Sequence, residues 1–318
     1  MIAQGKITLG VAGTAAGLGE LIAACVAADA HAPFEEHTML TLNGANQLAH
    51  SMITYVEDAG LSGCAVLSEG VAGWTVEMAV HPVRRGGGRG RALLGAAIEH
   101  VRSHGGGTLR AWAHGGGGVQ EALARGVSAR TERRLLVLER TLDDLPVTPG
   151  HDGVLVRCLD PTDDSDRDAW LELSNSAFLG HPDNGGWTRA DLDWRMSAPW
   201  TDGARFPVVS DAFGLAAGVW TKRDLGSADG ELYVVAVHPR AQGRGLGRLV
   251  VARALRDLRD QGCRRSLLYV DADNAPARSL YGWAGYTPGA EHCCLAVDVA
   301  PAELLPAGVP TSLLPRRA

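Results

Sequence analysis

Two stretches of this chain repeat one pattern. Val237–Arg248 reads V-H-P-R-A-Q-G-R-G-L-G-R, and Val80–Arg91 reads V-H-P-V-R-R-G-G-G-R-G-R. In the second copy an apolar run, Leu232–Val237, leads in and an amphipathic pattern leads out, so the glycines sit where a strand gives way to a helix. Glycine there lets the backbone turn tightly and approach a ligand without a Cβ in the way. The first N–H groups of a helix lack partners within it, and its dipole favours negative charge, so such a loop suits a phosphate or diphosphate. Val237 lies 157 residues after Val80, and Pro239, Gly243, Gly245 and Gly247 keep that offset from Pro82, Gly86, Gly88 and Gly90. A period that long signals a duplicated domain rather than a solenoid.

A chain of 318 residues accommodates two domains of ordinary size. The Pro- and Gly-bearing stretch Leu145–Gly153 reads as their linker, giving domains at 1–147 and 151–318. A net charge of -6 excludes a general nucleic-acid binder. The six cysteines form no disulfide framework and show no metal-site spacing, as expected of a reducing cytoplasm with no metal; adjacent Cys293 and Cys294 read as strand residues. No apolar run is long enough for a membrane span. Within Ile7–Ala32, Leu18, Leu21, Ile22, Cys25 and Val26 recur at helical spacing, so this segment reads as a first amphipathic helix rather than an export signal.

The second half predicts a helix at Asp168–Phe178 and paired strands at Phe206–Ser210 and Leu215–Lys222. A turn at Gly226–Gly230, the strand Glu231–Val237 and the glycine loop follow, then a helix with Leu246, Leu249, Val250, Leu255 and Leu258 on its apolar face. Gly262 closes that helix. Ser266–Val270 reads as a short strand, Asn274 as the cap of a helix with Pro276 in its first turn and Gly285 at its end, and His292–Val299 as a last strand. In the first half Met52–Glu57, Cys64–Ser68 and Trp74–Val80 read as strands and Arg91–Val101 as a helix. The glycine-rich stretches Gly105–Gly107 and Gly115–Gly118 are expected to be mobile, and the terminal Arg316-Arg317 to fray. The fold class is α+β, two tandem domains, each a mixed, mostly antiparallel central sheet flanked by helices. The loop lacks the Lys-Ser/Thr of a nucleotide P-loop and does not match G-x-G-x-x-G, which disfavours ATP and NAD.

Gln242–Gly247, followed by N-x-x-A-x-x-L-Y-x-x-x-G-F/Y in a variant spanning Asn274–Tyr286, resembles the coenzyme A signature of the GNAT superfamily of acyltransferases. The tandem arrangement and the segments His181–Thr188, Trp220–Lys222, Glu231–Val237 and Leu268–Asn274 resemble the mycothiol synthase family, closely in the second half and more loosely in the first. That resemblance implies transfer of acetyl from the co-substrate acetyl-CoA to the cysteinyl amine of desacetylmycothiol, a small thiol–sugar acceptor. The chain is expected to be a monomer with no nucleic-acid or membrane partner. It implies Glu231 as the base and Tyr281 as the acid. It places Val235, Ala236 and Val237, Gln242, Gly243, Arg244, Gly245, Leu246, Gly247 and Arg248, and Asn274, Ala275, Pro276, Ala277, Arg278 and Ser279 against acetyl-CoA. In the first domain Met78, Ala79, Val80, Arg85, Gly86, Gly87, Gly88, Arg89 and Gly90 are the corresponding set. Glu36, Asp183, Lys222, Glu231 and Tyr269 are implied for the acceptor, Asp183 being one methylene shorter than the family's Glu. At the repeat offset Trp74 stands for Glu231, and counting back from Gly126, aligned with Gly285, Ala122 stands for Tyr281, so the first domain is expected to be catalytically silent. The alternatives are a tandem GNAT enzyme for another small amine or a protein N-terminus, and a non-catalytic acetyl-CoA-binding module.

Overall fold

The structure, a computed structural model, describes residues 5–11, 15–29, 32–35, 38–39, 42, 51–70, 72–113, 124–181, 186–197, 201, 204–223 and 226–302. It divides into two compact units. The first takes Met1–Arg133 and Cys293–Ala318; the second takes Arg134–His292.

The first unit opens with β1 (Lys6–Val11) and α1 (Leu18–Asp29), so only the second part of the segment read as one helix is helical. Strands β2 (Ser51–Glu57), β3 (Gly60–Gly70) and β4 (Gly73–Val80) form an antiparallel meander. A 3-10 turn at Pro82–Arg84 leads through the glycine loop into α2 (Arg89–Ser103), and β5 (Gly107–Ala113) follows. The sheet runs β1-β2-β3-β4-β5, with residues 293–299 antiparallel to β5. Its core joins Leu93, Ala97 and Val101 of α2 to Ile53, Leu67, Trp74 and Leu109.

The strand β6 (Arg130–Thr141) opens the second unit's sheet, and β7 (Leu155–Cys158) follows. Then come α3 (Asp164–Ala177), capped by Asp163, and α4 (Arg189–Met196), closed by a Thr188–Asp191 capping box. Strands β8 (Pro207–Asp211), β9 (Gly214–Lys222) and β10 (Asp229–Val237) precede a 3-10 turn at Pro239–Ala241 and α5 (Leu246–Asp260). The unit is completed by β11 (Arg265–Asp271), α6 (Ala275–Trp283) and β12 (Thr287–Val299), whose far end belongs to the first unit. The order is β6-β11-β10-β9-β8-β7, antiparallel except for β10–β11. The linear boundary expected near 147–151 follows the repeat; the compact units instead divide within β6 and within β12, because each strand's ladder partners lie far off in sequence.

Two apolar layers hold the second unit. Leu246, Leu249, Val250, Leu255 and Leu258 of α5 pack with Val219, Leu232 and Leu268 on one face. Trp170 and Leu173 of α3 pack with Phe206, Trp220, Val234 and Ala236 on the other. Leu232 and Val234, two residues apart, lie in opposite layers. The β9–β10 register shifts between them, so Tyr233 is the extra residue of a bulge that reverses the alternation. In the first unit β4 pairs with β3 without a shift, from Gly63–Val80 to Gly70–Gly73.

Candidate active site

The parallel β10–β11 ladder runs over Asp229–Arg265, Gly230–Ser266 and Glu231–Leu267. Beyond Glu231, β10 pairs with β9, ending at Val237–Ala217, and the N–H of His238 donates to the Ala216 carbonyl at 2.9 Å. Backbone groups alternate sides along a strand, so the N–H groups of Val235 and Val237 point the other way, toward the opening left by β11. Val235 and Val237 line a cavity of about 950 Å³ there, together with Gln242, Gly243, Gly245, Leu246, Gly247 and Arg248 of the loop and Asn274, Pro276, Ala277, Ser279 and Tyr281 of α6. Ala236 is fully buried in the α3 layer and turns away.

The loop keeps its shape through two left-handed glycines, Gly243 at φ +76° and Gly245 at φ +80°. Gly245 caps α5 with no side-chain hydrogen bond, so the first-turn amides are directed out of the helix at the cavity. Gly247 serves close approach: a Cβ there would meet Leu280 Cδ2 at 3.2 Å and Val237 Cγ2 at 3.4 Å. Asn274 caps α6 by accepting from the Ala277 N–H at 3.1 Å, with Pro276 in the first turn, as the sequence predicts. These residues fit a ligand carrying a diphosphate at one end and reaching along the opened strand. Among the described residues, no group of three His, Cys, Asp or Glu side chains is placed to hold a metal ion.

The predicted arginines divide. Arg244 donates to Asp211 at 2.7 Å, and Arg278 donates to the Ala272 carbonyl at 2.9 Å. Arg248 lies over the Trp283 ring at 5.2 Å and lines the cavity. In the first unit, Gly86 and Gly88 repeat the left-handed pair. There Arg85 forks onto Asp29 at 2.7 and 2.6 Å, and Arg89 onto Glu57. Ala79 is buried while Met78 and Val80 join the α2 layer, the same division as at Ala236.

Tyr281 is buried and lines the cavity; burial pushes its phenol far above the usual value, so the hydroxyl keeps its proton at neutral pH. Its ring stands edge-on to Tyr286 at 6.0 Å, and the Tyr286 hydroxyl shares a 2.6 Å hydrogen bond with Ser266. Glu231 lies opposite Lys222 in the β9–β10 register. The Lys222 ammonium lies 5.7 Å from the centre of the Tyr233 ring. Tyr269, nearly half exposed on β11, has its phenol pushed up, first by desolvation and then by the charge of Glu231. Glu231, Lys222 and Tyr269 thus lie near one another where the β10–β11 ladder ends, and none of the three is among the residues lining the cavity. Glu36, Asp183 and Ala122 lie outside the described residues. Trp74, at the repeat position of Glu231, is a core residue edge-on to His100 at 5.4 Å.

Sequence reasoning missed three contributors. His181 lines the cavity and reaches Asp271 at 3.1 Å; it was visible only as part of a family segment. Phe178 and Leu179, at the end of α3, line the same cavity. The bulge at Tyr233 leaves no mark in the alternation of residue types.

The acetyltransferase (GNAT) family profile matches residues 167–286. The mycothiol acetyltransferase of Salinispora arenicola (strain CNS-205) is 42% identical over 273 residues, covering 83% of this chain and 87% of its own. That of Thermomonospora curvata is 39% identical over 277 residues, covering 85% and 90%. Among solved structures, a tandem GNAT protein from the clavulanic acid biosynthesis pathway superposes with a TM-score of 0.69 at 19% identity, over 93% of this chain and all of its own. A GCN5-related N-acetyltransferase from Sphaerobacter thermophilus gives 0.67 at 21% identity, over 94% and 98%. The structures establish the shared fold and the sequences the kinship. The chain belongs to the mycothiol acetyltransferase family and is an acetyl-CoA-dependent N-acetyltransferase of the GNAT fold.

Proposed function

We propose that the second unit transfers acetyl from acetyl-CoA to the cysteinyl amine of desacetylmycothiol, the amine nitrogen forming its new bond to the acetyl carbon as the carbon–sulfur bond breaks. The observation that supports this most is the splay after Glu231. It directs two strand amides, a glycine-loop helix start and the Tyr281 hydroxyl at one cavity, and Glu231 is the last residue of β10 paired with β11 before the strands part.

The acceptor's ammonium must lose a proton before its nitrogen can attack. Glu231 takes that proton, directly or through one water. Charge then gathers on the carbonyl oxygen, and the N–H groups of Val235 and Val237 donate to it without reorganising. The departing thiolate receives a proton from the Tyr281 hydroxyl, which burial keeps protonated, and the nitrogen, in becoming an amide, releases its second proton to solvent, from which Tyr281 is reprotonated. Acetyl-CoA supplies the activated acetyl group, and the amides of Gly243–Gly247 hold its diphosphate. Lys222 and Tyr269 are the polar partners for a hydroxyl-rich acceptor.

The first unit retains the loop and can hold acetyl-CoA, but we assign it no chemistry. Trp74 fills the base position inside a core, and β4 lacks the bulge that re-aims β10. An acetyl-transfer assay with desacetylmycothiol beside glucosamine and free cysteine tests the acceptor. A strong preference for desacetylmycothiol is expected; equal rates on all three would leave only a general amine acetyltransferase.

A further inference from the structure

Each unit ends the strand before its hairpin with a buried carboxylate, and each carboxylate grips two arginines that flank or belong to the glycine loop. In the second unit Asp211 closes β8. It accepts from Arg240 Nη1 at 2.8 Å and from Arg244 Nη1 at 2.7 Å, while Arg240 Nη2 donates to the Leu215 carbonyl at 3.0 Å. The N–H of Phe213 adds a third contact at 3.0 Å. In the first unit Glu57 closes β2. It accepts from Arg89 at 2.6 and 3.0 Å and from the Ser62 hydroxyl at 2.6 Å, and Arg84 lies at 3.7 Å. The Asp211 and Glu57 side chains are 6% and 2% exposed, and their arginines hold both carboxyls down at about 2.

The arginines are not the same ones. At the repeat offset Arg240 corresponds to Val83 and Arg244 to Gly87, while Arg84 and Arg89 correspond to Ala241 and Leu246. The arrangement is therefore built twice from different residues, and what the two copies share is its effect: a buried negative charge ties the loop to a hairpin. A carboxylate beside a diphosphate site repels the ligand, so its value there must lie in what it orders. Arg244, bound to Asp211, carries the loop's backbone between the left-handed Gly243 and Gly245. From the other side, the His151 ring shares a 2.6 Å hydrogen bond with the Arg244 carbonyl.

We infer that Asp211 is a positioning residue for acetyl-CoA, acting through Arg240 and Arg244 to hold the loop amides in their anion-binding arrangement, with Glu57 as its counterpart in the first unit. This rests on the acetyl-CoA site proposed above. The contrary arrangement is that Asp211 sequesters an arginine that would otherwise grip the diphosphate. The two readings predict opposite signs for Asp211→Asn, an isosteric change that releases both arginines.

The test is steady-state transfer by the full chain, with the KM for acetyl-CoA read apart from kcat. Asp211→Asn is expected to raise that KM about tenfold while leaving saturated kcat and the acceptor KM within twofold, and Asp211→Glu is expected to recover most of the loss. Adding Arg244→Gln to Asp211→Asn should change little further, since the Arg244–Asp211 contact is already broken there. A KM that is unchanged or lower overturns the inference, as does a loss confined to kcat. Should Asp211→Asn fail to fold, Arg240→Gln, which loosens the clamp at the arginine not placed against acetyl-CoA, decides alone: a raised acetyl-CoA KM supports the clamp and an unchanged one overturns it. A wild-type chain that turns over no acetyl-CoA would remove the functional reading and this inference together; wild-type turnover with an unmoved variant KM would remove this inference alone.

Discussion

Replacing Gly245 by alanine isolates the loop's conformation from its packing. A Cβ at Gly245 meets nothing within 4 Å, yet φ is +80°, so the penalty is backbone strain and not collision. Holding an L-residue in that region costs about 1–2 kcal/mol. The cost can appear in either of two measurements. If the loop stays as it is, the fold carries the strain and Tm falls by about 2–8 °C for a unit of this size. If the loop relaxes, acetyl-CoA must restore it, and KM rises by about 5- to 30-fold at tenfold per 1.4 kcal/mol. Gly262 is the control: it also lies at positive φ, +89°, with open space around a Cβ, but at the far end of α5. Gly262→Ala should lower Tm alone. Steady-state kinetics beside thermal unfolding reads both variants. If Gly245→Ala moved neither quantity, or Gly262→Ala raised KM as much, the loop would not be the diphosphate cradle.

Glu231→Gln should lower kcat by about a hundred- to ten-thousand-fold, with the deficit shrinking as pH rises and the acceptor amine loses its proton unaided; a wild-type rate would exclude Glu231 as the base. Tyr281→Phe should lower kcat by about a hundredfold with the acetyl-CoA KM unmoved, and a changed KM alone would make Tyr281 a packing residue. Asp211 and Glu57 sit near 2 when folded, against ordinary values of 3.8 and 4.5. Their ion pairs therefore stabilise the fold fully above about pH 4.5, and that contribution is lost as pH falls toward 2. Thermal melts across that range should show a shallower acid limb for Asp211→Asn than for wild type; identical limbs would deny the pairing.

What could be read from the sequence was local. The glycines of Gln242–Gly247, the Asn274 cap and the Gly262 and Gly285 stops each act within one turn, and the structure places all of them as expected. Helix α5 was legible because its apolar residues recur on one face. Arg130–Thr141 does not read as a strand from sequence: its ends are charged, and a partner such as Asp298 for Arg130 comes beside it only once the chain has folded. Ile7–Val11 was absorbed into a helix because five residues cannot settle the period, and its status depends on pairing with Ser51–Glu57. The division of the units within β6 and β12 depends on ladder partners far away in the chain, which a repeat offset does not encode. At the site, Gly243, Gly245, Tyr281 and Asn274 were found by motif. Asp211 escaped because its role exists only once a hairpin brings it beside the loop. Of the two stretches expected to be mobile, Gly115–Gly118 lies outside the described residues, whereas Gly107, the last residue of the other, opens the strand Gly107–Ala113.

A crystal structure of the full chain with acetyl-CoA tests the central claim most directly. The diphosphate should rest on the amides of Gly243–Gly247, with the thioester oxygen facing the N–H groups of Val235 and Val237 and the sulfur beside the Tyr281 hydroxyl. Acetyl-CoA bound with its sulfur remote from Tyr281, or absent from the second unit while filling the first, would contradict the account.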